Sequence, residues 1–279
     1  MKQRTGSEPR RFRERGLDDL QIEDDKAFQR IPHYAFLKRT LRTSGYRFRV
    51  LPRSTRSSWD RALLLNLTFW RPDEGGDVLT DETIPADVVA HVAWHHLTAS
   101  VLADPAGSAP LVSSLFMGES IASAFDLYMV GRLLVEAPDA LFLATQIPAM
   151  TETLSAAGVT EDECAELLRD IAEAPDSAFA DLRELLFDVA MALYGCNTAE
   201  SALAVLERFQ THRFSGLLHR FELSNWVLYA RAHGRPAPSS TPAHRLDDIL
   251  RRQRKPLVWL TSNWKSALRR RSIQRRLAP

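Results

Sequence analysis

Between Pro85 and Gly234, prolines, glycines and capping residues cut the chain into stretches of about one helix length each. That punctuation favours a succession of helices over any sheet-rich fold. Pro85 suits a first helical position and Asp87 suits a first turn, so a helix is predicted to about Ala103. The stretch from Asp104 to Pro110 breaks it. A second helix is predicted over 111–136, before Pro138, and a third over 139–157. Thr160-Glu161-Asp162-Glu163 has capping-box form and opens a fourth, which ends before Pro175. A fifth spans 177–194, up to Gly195. Asn197 to Glu200 repeats the capping-box spacing and opens a sixth, and a seventh lies near 214–233.

Upstream the pattern is different. Tyr46, Phe48 and Val50 alternate with arginines and predict a half-buried edge strand with the arginines in water. Ala62 to Trp70 predicts a second, more buried strand, closed by the turn residues Arg71 to Gly76. Residues 1–30 are polar and charged and read as a mobile arm. The fold class is therefore α+β and mainly α-helical, a small N-terminal sheet followed by a helical bundle. Its parts are a basic N-terminal arm (1–32), a mainly helical domain (33–245) and a basic amphipathic C-terminal segment (246–279). A chain of 279 residues can bury one substantial core. Cys164 and Cys196 are far apart and form no CxxC pair, which predicts a reducing, cytoplasmic compartment. No signal-peptide core and no apolar run of membrane-spanning length is evident.

The net charge of +1 conceals strong segregation. Residues 1–56 carry 15 Lys and Arg against 7 Asp and Glu, and residues 245–279 carry 11 against 2. The body between them holds 10 against 26 and contains no lysine. Either the basic ends fold back on the acidic body, or they bind a polyanion or an anionic membrane surface. In the last segment Leu257, Leu260, Trp264 and Leu268 recur at helical spacing beside Arg269, Arg270 and Arg271. That amphipathic stripe fits a membrane, a nucleic acid, a protein partner, or the body itself.

The chemistry concentrates in the first predicted helix. His91 and His95 fall one turn apart on one face, the way a helix offers two imidazoles to one metal ion. Glu119 follows 24 residues after His95, on the next predicted helix, and can complete a His₂Glu site with a fourth position open. His96 points about 100° away round the helix and reaches that position only with local distortion. His219 and Glu222 read either as an exposed pair or as further site residues. No Glu-x-x-His, GxGxxG, GxxxxGK[ST] or GxSxG motif occurs, which excludes the signatures of ferritin-like di-iron, dinucleotide, P-loop and serine-hydrolase chemistry.

Three segments carry a resemblance. Val88-Val89-Ala90-His91-x-x-x-His95 resembles the metal-binding helix of thermolysin-like zinc peptidases, the gluzincins. Gly118-Glu119-Ser120-Ile121-Ala122-Ser123-Ala124-Phe125 is similar to the segment carrying that family's third ligand. His212-Arg213-Phe214-Ser215-Gly216 resembles its His-x-x-Ser-Gly segment, and the three occur in the family's order. The resemblance implies a zincin-like fold, zinc held by His91, His95 and Glu119, a peptide or protein as substrate or partner, and His212 stabilising the oxyanion. It also exposes departures. Val92 stands where the family has its catalytic glutamate, so general-base help worth about 10²–10⁴ in rate is missing. His96 is the candidate for a relocated base. Ser123 replaces an aspartate that often supports a ligand, and Asp126, one turn further on, can substitute. The expectation is a degenerate metal site without standard proteolysis. The alternative is a non-enzymatic interaction protein with an acidic docking body and a basic tail.

Overall fold

A computed structural model describes residues 12–52, 77–103, 109–236 and 241–265. It is mainly helical, with two very small sheets near the N-terminus. Strand β1 (Arg13–Arg15) pairs antiparallel with β3 (Phe48–Val50), and β4 (Val78–Leu79) pairs parallel on the other side of β3. Strand β2 (Gln21–Glu23) pairs parallel with β5 (Thr83–Pro85), with Ile22 opposite Ile84. Between these strands lie the short α1 (Asp25–Phe28) and α2 (Tyr34–Ser44).

Residues 12–30 are thus part of the folded body and not an arm. Leu17, Phe28 and Ile31 are buried, and Arg13 and Arg15 both pair with Glu82. Nor is β3 an edge: it is flanked on both sides, and its Arg49 is buried with its guanidinium 5.3 Å above the Phe12 ring. The strand predicted at Ala62–Trp70 lies outside the described residues.

The helical succession follows its sequence signals closely. It runs α3 (Ala86–Leu102), α4 (Val112–Glu136), α5 (Leu141–Ala156), α6 (Glu161–Glu173), α7 (Pro175–Tyr194) and α8 (Ala199–Glu207). At α6 the Thr160 N–H donates to Glu163 Oε2 at 2.8 Å and Thr160 Oγ1 accepts from the Glu163 N–H at 3.3 Å. The next cap falls one residue later than predicted. Thr198 and Ser201 form it, because Ser201 can both accept from the Thr198 N–H and present its own N–H to the Thr198 hydroxyl. The single helix predicted near 214–233 is two: a 3-10 helix, Ser215–Phe221, and α9 (Leu223–His233). They part at Glu222, whose φ of 47° no sequence signal announces. Helix α10 (Pro242–Arg251) and α11, described over 256–265, are the last elements among the described residues.

Helix α4 is the centre of the bundle. It is apolar on nearly every side and packs most extensively against α7 and α3. It meets α6 at Gly131, where an added Cβ would lie 2.4 Å from the Ile171 carbonyl oxygen. Gly131→Ala should therefore cost about 1–3 kcal/mol through overpacking, outweighing the gain of about 1 kcal/mol that alanine brings to a helix. Urea denaturation measures this, and an unchanged midpoint would mean the two helices can part freely.

The C-terminal stripe packs inward. Leu257, Leu260 and Trp264 of α11 are buried, and the Trp264 ring crosses that of Trp94 at 5.8 Å between centroids. Its described apolar face is thus occupied by the body. Leu268 and Arg269 to Arg271 lie outside the described residues. No helix among the described residues is long and apolar enough to cross a membrane.

Candidate metal centre

Helix α3 begins where β5 ends, so the small β2–β5 pairing seats its first turn. His91 and His95 then project from one face, their ring centroids 4.8 Å apart. Their Nε2 atoms are 3.0 Å from each other. Helix α4 runs antiparallel alongside: Asp126 faces His91 and Glu119 faces His95. Gly118 lies against the far side of His95, where an added Cβ would be 3.6 Å from Nδ1. His95 Nε2 stands 3.5 Å from Glu119 Oε2, and the three candidate ligand atoms lie within 4.8 Å of one another.

These distances test the fit. Ligands about 2.0–2.1 Å from a tetrahedral zinc ion stand about 3.3–3.5 Å apart. Two of the three separations, 3.0 and 3.5 Å, bracket that spacing and the third lies within 4.8 Å, so His91, His95 and Glu119 can hold a metal ion once the Glu119 side chain closes on His91. Asp126 supplies the outer support. An ionised carboxylate only accepts, so the 2.9 Å contact puts the hydrogen on His91 Nδ1 and leaves Nε2 facing the cluster.

The electrostatics of the metal-free protein point the same way. Burial opposes charge on His91, but the Asp126 carboxylate outweighs it and raises the imidazole above its ordinary range. Burial and the charged His91 together hold His95 well below it. Burial pushes the Glu119 carboxyl up to about 7 against the pull of His91. One proton between two Nε2 atoms therefore marks the position where both lone pairs converge. Asp77 sits close enough to favour positive charge on both histidines, and the Tyr46 hydroxyl donates to its Oδ2 at 2.6 Å.

The cluster opens into a cavity of about 470 Å³. His91, His95, Glu119 and Asp126 keep 31, 34, 29 and 33% of their side-chain surface accessible, so a small molecule can reach them. Beyond His91 and Glu119 the walls are Leu127, Met150 and Trp226, with Gln146 and Arg220 as polar groups. Asn225 donates to Glu222 at 2.6 Å at the same wall.

Other expected residues lie elsewhere. Val92 is 6% exposed and belongs to the core, so a glutamate there would place its carboxylate among apolar side chains. His96 packs its ring against Tyr46, 5.6 Å between centroids, and burial lowers its pKa. His212 does not line the cavity. Its Nδ1 accepts from the Phe214 N–H at 3.1 Å, which ties the ring to its own turn beside the buried Phe214. His219 is exposed. Arg220 and Gln146 carry no sequence signal, because the tertiary fold alone brings the 3-10 helix and α5 to this wall. Comparison of the chain with protein-family models, curated proteins and solved structures gives no match.

Proposed function

We propose that this protein binds a zinc ion through His91, His95 and Glu119, in a zincin-like, peptidase-type site that lacks standard proteolysis. The convergence of those three ligand atoms, with Asp126 orienting His91, carries the reading. Two borderline imidazole nitrogens and one hard carboxylate oxygen form a ligand set that zinc accepts. Zinc held this way supplies a Lewis acid with one coordination position open to water or a ligand. His91 is fixed in one tautomer by Asp126, and Glu119 brings a negative charge that burial alone would discourage. The position one residue after His91 offers no base, since Val92 is packed into the core. A hydrolytic role therefore lacks its proton acceptor, and a binding or structural role fits better.

Elemental analysis tests this. The purified full chain should carry about one zinc per molecule, and His91→Ala should carry none while keeping its helical circular dichroism. Wild-type protein without stoichiometric metal after dialysis against zinc would overturn the proposal.

A further inference from the structure

Arg220 is the residue of the cavity that the metal reading leaves without a role. It is half-buried in the 3-10 helix, which burial resists, as its lowered pKa reflects. Its guanidinium donates to the neutral Gln146 Oε1, and among the described residues it forms no ion pair with a carboxylate. Asp126 is the acidic group that favours its charge; its Oδ2 is engaged by His91, while its buried Oδ1 makes no hydrogen bond. A half-buried guanidinium with a neutral partner is costly unless an anion completes it. Gln146 holds one end of the fork, so the guanidinium is fixed before any ligand arrives. The apolar part of the lining includes Leu127, Met150 and Trp226, beside the polar Ser123, Glu222 and Asn225.

We infer that this cavity binds a small carboxylate with an apolar body, its anionic head on Arg220 and its other end facing His91 and Glu119. The inference rests on the reading of this cavity as the open face of the metal centre. The head group is a carboxylate because Arg220 is a single cation with one oxygen partner already in place, whereas a dianionic phosphate would face Asp126, Glu119 and Glu222 in the same cavity. The apolar wall then selects by shape and hydrophobic area.

The test uses the full chain with 4-phenylbutyrate and its uncharged analogue 4-phenylbutyramide, titrated by ligand-observed NMR with and without zinc. The acid should bind about tenfold more tightly than the amide in both forms. Arg220→Gln should abolish that preference while zinc content stays unchanged, and Arg220→Lys should keep part of it. Equal binding of acid and amide to wild type overturns the inference. So does a preference that survives Arg220→Gln, because the carboxylate is then held elsewhere, the metal included. Zinc content is read separately. A carboxylate preference in a protein that holds no zinc supports the Arg220 subsite and overturns the metal reading. Bound zinc without the preference does the reverse.

Discussion

Stripping zinc with a chelator should lower the melting temperature of this protein by roughly 10 °C, and adding zinc back should restore it. The magnitude follows from linkage. Zinc at about a thousand times its dissociation constant adds about 4 kcal/mol to the folded state, and in a domain of this size each kcal/mol moves the midpoint by about 2–4 °C. The ligands make the effect global. His91 and His95 belong to α3 and Glu119 to α4, two adjacent helices of the core, so an ion held there would fasten the centre of the bundle. Bound zinc would also remove two penalties of the metal-free protein, a proton shared between two imidazoles and a half-buried carboxyl. Scanning calorimetry of wild type and Glu119→Gln provides the comparison, and the variant should lose most of the shift. A wild-type midpoint indifferent to both chelator and zinc would sink the metal centre altogether.

Asp247→Ala should cost about 3–5 kcal/mol, as much as truncating a large core side chain. Arg183 of α7 is 1% exposed and its Nη1 donates to Asp247 Oδ1 at 2.5 Å, while Asp247 itself is 11% exposed. Removing the carboxylate leaves a guanidinium buried without a counter-charge. Arg251 compounds the loss, since its Nε donates to Asp247 Oδ2 at 2.8 Å while its other nitrogens pair with Glu184 and Asp188. The pair is not intrinsically stabilising, so Arg183→Met combined with Asp247→Leu should recover most of the loss. Equilibrium urea unfolding of the single and double variants measures both quantities. A single variant within about 1 kcal/mol of wild type would mean that water reaches Arg183.

How far the sequence reveals the fold depends on the range of the interaction. The ends of α3, α4 and α6 were legible because the determinants are local: a proline, a cap, a glycine within a few residues. The β1–β3 and β2–β5 pairings were not, because strands of three residues show too little alternation and their partners are distant. Helix α2 is marked in the sequence only by the spacing of Tyr34, Leu37 and Leu41, which line its buried face, since no side chain caps its start. The site divides the same way. His91 and His95 are visible as a helical spacing, and Asp126 as a carboxylate one turn beyond Ser123. Arg220 depends on where a 3-10 helix lies relative to α5, which no local signal encodes. Some cations of the basic ends pair with the acidic body, Arg13 and Arg15 with Glu82 and Arg251 with Glu184 and Asp188, whereas Arg42 pairs with Asp18 of its own segment.

Helix α3 is seated on a strand whose partner lies far back in the chain. The contacts that build the metal centre are comparatively local, with His91 and Asp126 separated by 35 residues across one helical hairpin. The sheets that seat this hairpin are not, and the Arg13–Glu82 pair that accompanies them spans 69 residues. Closing the longer loop costs more chain entropy and proceeds more slowly. The smaller loop entropy favours convergence of these side chains before the N-terminal strands pair. A metal ion captured at that stage would act on the folding reaction itself, as a nucleus around which the earliest residues of the chain are the last to settle.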